Sequence, residues 1–71
     1  MSLAIQIGLA IKKARWKNMV KQKDLAKSLN VIPSHLCEIE KGVKLPSLTL
    51  LFEIDRLIGP LELPLKKEVQ K

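Results

Sequence analysis

The sequence predicts an all-α protein, a compact bundle of four to five helices that contains a helix-turn-helix. Apolar residues recur three and four positions apart along most of the chain, which is the period of one helix face. Few segments alternate between apolar and polar residues as a half-buried strand does. The chain has 71 residues, of which 46% are hydrophobic, so one domain with one core is feasible.

The first two helices are separated by an interruption at Asn18-Met19. The first is predicted over Leu3–Lys17, where basic residues crowd the last turns and suit the helix dipole. Asn18 is expected to take the left-handed conformation that ends many helices. The second is predicted over Gln22–Leu29, with Asn30 as another left-handed stop. The residues expected to face inward are Leu3, Ile7, Ala10, Ile11, Ala14, Leu25, Ala26 and Leu29.

The next two helices are bounded by proline, serine and glycine. The third is predicted over Pro33–Lys41, because proline suits a first helical turn, and Gly42 ends it. The fourth is predicted over Ser47–Ile58, with Ser47 as its N-cap and Gly59-Pro60 as its end. The residues that helical spacing groups on inward faces are Leu36, Ile39 and Glu40, then Leu48, Leu51, Phe52 and Ile54 or Asp55.

The domain is predicted to span residues 1–71, with a core over about residues 3–59 and a tail over residues 60–71. Pro64 forbids one uninterrupted helix from Leu61. A short turn and a frayed helix from Leu65 are therefore expected, in a tail that could serve in dimerisation.

The charge of the chain points to an anionic partner. Its formal net charge is +6, which makes nucleic acid the first partner to consider. The alternative is that the lysines only solvate the outer faces of helices.

Other classes of function find little support in the sequence. With His35 and Cys37 as its single histidine and cysteine, the chain has neither a metal-ligand spacing nor a catalytic triad. We therefore expect a non-enzyme without cofactor or metal. One cysteine excludes an internal disulfide, and no apolar run approaches the roughly 18 residues that span a bilayer. A cytoplasmic protein that does not contact membranes is expected.

The break around Asn30-Val31 and Pro33 predicts a helix-turn-helix, in which one helix braces a second that enters a DNA major groove. With its flanks, the sequence reads IGLAIKKAR, QKDLAKSLNV, SHLCEIEKG and LPSLTLL. These motifs, at these spacings, resemble the DNA-binding domain of the Cro/phage-repressor (Xre) family from Ile7 to about Gly59. The resemblance implies a helix-turn-helix fold and double-stranded DNA as the partner.

The resemblance implies that amide and basic side chains hold the DNA backbone. Gln22 matches the glutamine that opens the second helix and grips a phosphate together with the helix N-terminus. Lys21 and Lys23 flank it, and Lys41 and Lys44 match positions that contact the backbone at and after the third helix. The alternatives are a simple polar residue at Gln22 and a solvated helix-face lysine at Lys23.

Four positions of the third helix are candidates for reading base edges. Pro33 offers only apolar contact, Ser34 discriminates poorly, and Glu38 can accept a hydrogen bond from cytosine N4. His35 can donate to a phosphate or a base, with neutral surface as the alternative. Many relatives carry glutamine, arginine, asparagine or serine at such positions, so the departures at Pro33 and Glu38 lead us to expect weaker direct readout here.

Arg15 and Glu40 match a pair that commonly forms a partly buried salt bridge in the family. The bridge would tie the first helix to the end of the third. Such a pair fixes geometry more than it adds net stability.

Surplus apolar residues and the resemblance together predict a homodimer. Some of the apolar residues beyond the needs of one small core must cover its ends, and the rest suggest a homodimer: Ile5, Leu9, Trp16, Leu50, Ile58, Leu61, Leu63 and Leu65. Two-fold pairing would place the recognition helices about 34 Å apart, one turn of DNA. The predicted function is a sequence-specific transcriptional regulator, a repressor that binds a palindromic operator as a homodimer. The alternative is a protein-interaction or antitoxin-like module with the same fold and weak or non-specific DNA binding.

Overall fold

The computed structural model describes residues 2–62, and this part of the chain contains four α-helices. They are α1 (Leu3–Lys17), α2 (Gln22–Leu29), α3 (Pro33–Glu40) and α4 (Leu48–Ile58). No strand occurs between residues 2 and 62, and the all-α prediction is confirmed. The bounds differ from prediction at Lys41, which is the C-cap of α3 instead of a helical residue, and Ser47 is the N-cap of α4, as predicted. The predicted helix from Leu65 lies outside the described residues.

Serine side chains cap α1 and α4, whereas α2 and α3 have no side-chain cap. Ser2 Oγ and Ser47 Oγ each accept a hydrogen bond from the backbone N–H three residues later, at 3.2 and 3.1 Å. The N-caps of α2 and α3 are Lys21 and Ile32, neither of which provides a capping side chain. The two helices of the helix-turn-helix therefore begin with backbone N–H groups that no capping side chain satisfies.

Left-handed residues end the first three helices. Asn30 and Gly42 follow α2 and α3 with φ angles of 60° and 82°, as predicted. The prediction for Asn18 is wrong, because its φ is −94° and Met19 takes the left-handed conformation instead, at 58°. The Asn18 amide donates to a carbonyl in the last turn of α1 at 2.7 Å and to the Ile58 carbonyl at 3.0 Å. These bonds hold Asn18 as the C-cap of α1 and tie it to the end of α4.

The core is aliphatic and draws on all four helices. Its residues are Ile7, Ile11, Ala14, Leu25, Ala26, Leu29, Leu36, Ile39, Ile54, Ile58 and Leu61. Ile58 and Leu61, two of the apolar residues expected to exceed the needs of a small core, therefore belong to the core. The Leu61 N–H donates to Asp55 Oδ1 at 2.9 Å, which holds the segment after α4 against the core. Leu3, predicted to face inward, is 42% exposed because the first turn of α1 lies at the edge of the core.

The chain's single tryptophan and single phenylalanine both lie outside this core. Trp16 is 63% exposed and Phe52 is 67% exposed. The inward assignment of Leu48 and Phe52 is wrong, because α4 buries the side that carries Ile54 and Ile58. Helix α4 has apolar residues on several sides, and its packing against α1 and α2 selects one of them.

Helices α1 and α3 approach each other closely at Gly8. A Cβ atom at this position would lie 2.5 Å from the Ile39 carbonyl oxygen and 2.6 Å from the Glu40 carbonyl oxygen. Only a residue without a side chain permits this distance. The contact places α3 on α1 and leaves the other side of α3 accessible.

Candidate nucleic-acid interface

The predicted ion pair between Arg15 and Glu40 joins α1 to the end of α3. Arg15 Nε donates to Glu40 Oε2 at 2.9 Å, and Arg15 Nη2 donates to Glu40 Oε1 at 3.0 Å. The two side chains are 11% and 1% exposed, so the pair is largely removed from water. Arg15 Nη1 also donates to the Val20 carbonyl at 3.0 Å. This bidentate pair therefore fixes α1, α3 and the segment between α1 and α2 relative to one another.

Gln22 contacts the same carboxylate. Its Nε2 donates to Glu40 Oε1 at 3.1 Å, and the residue is half-buried. Sequence reasoning missed this contact, because the two residues lie far apart in the chain and no local pattern links them. The amide carries a second N–H group, so Gln22 can bond to Glu40 and still donate to a ligand.

The start of α2 presents backbone donors beside two lysines. Lys21 is the N-cap, and the Leu25 N–H donates to its carbonyl at 3.0 Å. The N–H groups of the three residues between them have no acceptor within the helix. A helix N-terminus of this kind can bind phosphate, and the exposed Lys21 and Lys23 add positive charge. Asp24, in the same turn, suits the helix dipole but repels a phosphate.

The accessible side of α3 carries the residues predicted to read base edges. Pro33 and Ser34 are exposed, and His35 and Glu38 are half-buried. Ser34 and Glu38 lie one turn apart and therefore on the same side of the helix. This side can offer a base edge one hydroxyl, one carboxylate and the apolar ring of a proline.

Glu38 and Lys44, which sequence reasoning assigned to different roles, contact each other. Lys44 Nζ lies 3.4 Å from Glu38 Oε1, and the side chains are 56% and 46% exposed. The Glu38 carbonyl also accepts hydrogen bonds from the N–H groups of Val43 and Lys44, at 3.0 and 3.4 Å. An exposed ion pair contributes at most about 1 kcal/mol, so a phosphate can compete for the lysine.

The predicted phosphate-binding residues form two groups that Glu40 connects. Residues 21–23 lie at the start of α2, and Lys41 and Lys44 follow the end of α3. Glu40 joins the groups because it bonds to Gln22 and precedes Lys41 in the chain. In residues 2–62, neither Lys41 nor the lysines of the first group form an ion pair. Their charges therefore remain available to an anion.

The described part of the chain contains neither a metal-ligand group nor a membrane-spanning helix. No group of three or more histidine, cysteine, aspartate or glutamate residues between residues 2 and 62 could hold a metal ion. Cys37 is half-buried and has a free thiol. Within the same range, no helix combines the length and hydrophobicity that crossing a membrane requires.

The sequence that forms this interface matches a known family. The match is to a helix-turn-helix family of the Cro/C1 type and covers residues 11–64. The chain belongs to this family. The resemblance to the Cro/phage-repressor DNA-binding domain is thereby confirmed. The family consists of DNA-binding domains and not of enzymes.

The helix-turn-helix is also similar to part of a longer protein. It is 35% identical over 57 residues to Multiprotein-bridging factor 1 of Debaryomyces hansenii. The alignment covers 80% of this chain and 38% of that protein, so the chain spans less than half of the relative's length. No solved structure matches the chain significantly.

Proposed function

We propose that this domain is a sequence-specific regulator that binds double-stranded DNA, with α3 in the major groove and the start of α2 on a phosphate. The observation that carries the proposal is the position of Glu40, whose carboxylate holds both Arg15 and Gln22. A helix contacts the same bases reproducibly only if it is fixed relative to the groups that bind the DNA backbone. Glu40 makes that connection, because it lies at the end of α3 and bonds to the first residue of α2.

The charge of the domain favours the same partner. The formal net charge is +6, and three of the candidate phosphate-binding lysines lack an ion pair within residues 2–62: Lys21, Lys23 and Lys41. Each phosphate that such a group neutralises adds about 0.9 to the salt dependence of binding. Much of the affinity would therefore be independent of sequence, and the side chains of α3 would supply the preference among sequences.

The proposal includes a homodimer that represses transcription by covering a palindromic operator. Four apolar residues in the segment before α4 and along its outer side support self-association. Val43, Leu45, Leu48 and Phe52, here called the α4 patch, are 68, 57, 68 and 67% exposed. Exposed apolar groups of this kind are typical of protein interfaces. A two-fold pair would place its α3 helices about 34 Å apart, on successive turns of one face of the duplex.

A second candidate function is that of a protein-interaction module with the same fold. Two observations favour it: Glu38 is paired with Lys44, and Pro33 brings no hydrogen-bonding side chain to the accessible side of α3. The similar protein from Debaryomyces hansenii is named a multiprotein-bridging factor. Under this alternative, DNA binding would be weak and independent of sequence.

Selection from random duplex DNA at roughly physiological salt distinguishes the two candidates. Enrichment of a palindrome with half-sites about one helical turn apart would support the dimeric regulator. Weak, salt-sensitive retention of DNA without an enriched sequence would favour the protein-interaction module. Sedimentation of the protein alone reports self-association separately from DNA binding.

A further inference from the structure

The outer side of α1 carries exposed apolar side chains. Ile5, Leu9 and Trp16 are 40, 38 and 63% exposed, and we refer to them as the α1 stripe. Their spacings of four and seven residues are close to whole turns, so the three side chains follow one line along the helix. Buried residues such as Ile11 and Ala14 lie on the other side of α1.

Trp16 is the most informative residue of the stripe. Tryptophan is enriched among the residues that dominate binding energy at protein interfaces, and here it is 63% exposed. Lys12 Nζ lies 5.7 Å from the centre of the Trp16 ring, within the range of a cation–π contact. That contact biases the orientation of the ring before any partner arrives, which lowers the entropy that binding has to offset.

Only positive charge borders the stripe on its own helix. Helix α1 contains no acidic residue and four basic ones: Lys12, Lys13, Arg15 and Lys17. Arg15 is buried against Glu40, whereas the three lysines form no ion pair within residues 2–62. A partner that covers the stripe therefore needs carboxylates beside its apolar side chains.

We propose that the α1 stripe binds an acidic amphipathic helix of a partner protein. The apolar side chains of that helix cover Leu9 and Trp16, and its carboxylates approach Lys12, Lys13 and Lys17. Amphipathic helices are commonly recognised through apolar anchors three or four residues apart, which the turn spacing of the stripe can accept. This site centres on Leu9 and Trp16, and the proposal does not depend on DNA binding.

The structure disfavours a second copy of the chain and DNA as occupants of this face. Two copies paired through the stripe would bring their lysines together without acidic residues on either helix, and like charges repel. Gly8 lies against the Ile39 carbonyl, and Ile5 lies against Gly42, so the first residue of the stripe borders the end of α3. Leu9 and Trp16 are turned about 80 to 100° around the helix axis from Gly8. A duplex held by the accessible side of α3 would therefore leave Leu9 and Trp16 uncovered.

Trp16 provides a direct signal for the test, because it is the only tryptophan of the chain. The protein is titrated with a synthetic helical peptide that carries leucine on one side and glutamate on the other. A saturable blue shift of Trp16 emission is expected, because the ring loses contact with water. A peptide with lysine in place of each glutamate should give no shift. The same titration is made with random-sequence duplex DNA and with phosphatidylserine vesicles.

Two variants test whether the peptide binds to the α1 stripe. Leu9→Ser and Lys13→Glu are each expected to weaken peptide binding about tenfold, which corresponds to roughly 1.4 kcal/mol. The matched control is Lys27→Glu, an exposed lysine of α2, which should leave the affinity unchanged. Circular dichroism and thermal unfolding of each variant check that the fold persists.

Several outcomes would overturn the proposal. They are an equal shift with the lysine peptide, no shift with the glutamate peptide, and equal effects of Lys13→Glu and Lys27→Glu. A saturable shift with DNA or vesicles, but not with the glutamate peptide, would assign the face to nucleic acid or lipid. None of these results depends on whether the selection from random DNA enriches an operator.

Discussion

Gln22 and Arg15 donate hydrogen bonds to the same carboxylate oxygen, Oε1 of Glu40, at 3.1 and 3.0 Å. The other oxygen of Glu40 accepts from Arg15 Nε at 2.9 Å. A single side chain thus receives donors from α1 and α2 while it belongs to α3. In such a network the loss of one member affects the others, because a buried polar group without a partner is costly. The geometry of the helix-turn-helix therefore depends on Glu40.

Glu40→Gln is expected to lower the free energy of unfolding by about 3 kcal/mol, because it leaves the Arg15 guanidinium without its counter-charge. Urea denaturation at neutral pH, followed by circular dichroism, measures the change. The matched control is Glu53→Gln, which removes the charge from an exposed pair with Arg56 at 3.8 Å. That variant should change the stability by less than about 0.5 kcal/mol.

The double variant Arg15→Met/Glu40→Leu tests the same explanation from the opposite direction. It should recover much of the stability lost in Glu40→Gln, because replacing both partners by apolar side chains leaves no buried charge. A double variant less stable than Glu40→Gln would contradict this account of the pair.

Much of the fold could be predicted because its signals are local. Asn30, Gly42 and Ser47 mark helix ends through properties that depend on the nearest few residues. The burial of α4 could not be predicted in the same way. Apolar residues such as Leu48, Phe52 and Ile54 occur on several sides of that helix, so periodicity does not select the side that faces the core.

The candidate site could be predicted as a set of residues but not as a set of contacts. The resemblance to the family predicted an ion pair between Arg15 and Glu40, because that pair belongs to the family pattern. The bond from Gln22 to Glu40 and the pair of Glu38 with Lys44 depend on how separate elements meet in space. A single sequence contains no local signal for such contacts between separate elements.

The double variant Gln22→Ala/Lys44→Ala is expected to weaken binding to all duplexes alike and to lower the salt slope by about 0.9 for the lost lysine charge. Fluorescence anisotropy titrations at several salt concentrations measure both quantities. Lys27→Ala, on the outer side of α2, serves as the control for a lysine outside the proposed interface. Unchanged DNA binding in the double variant would remove the basis for the proposed phosphate contacts. Because Gln22 also bonds to Glu40, the free energy of unfolding of the double variant has to be measured in parallel.

Ser34→Ala and Glu38→Ala are expected to change sequence preference more than total affinity, because in the proposed complex their side chains would face the groove without neutralising phosphates. Glu38→Ala has a second effect. It releases Lys44 from its ion pair and should raise the affinity for non-specific duplexes about threefold. Repeating the selection from random DNA measures preference, and Glu53→Ala controls for the loss of an acidic residue elsewhere. If the preference survives both substitutions, sequence is read at other positions or through DNA shape.

The last prediction concerns the α4 patch and the proposed homodimer. Leu48→Ser/Phe52→Ser is expected to convert a dimer into a monomer with little change in thermal stability, because both side chains are about two-thirds exposed in the single chain. Sedimentation equilibrium over a range of protein concentrations measures the association constant. Leu9→Ser removes an exposed apolar residue from the α1 stripe and should leave that constant unchanged.

DNA binding provides a second measure of the same surface. If the two-fold pair forms through the α4 patch, the double variant should lose tight binding to a palindrome but keep weak binding to a half-site, because each monomer retains its own α3. If the variant and the unaltered protein bind the palindrome with equal affinity, operator binding does not require the α4 patch. The dimer contacts would then have to lie on another part of the chain.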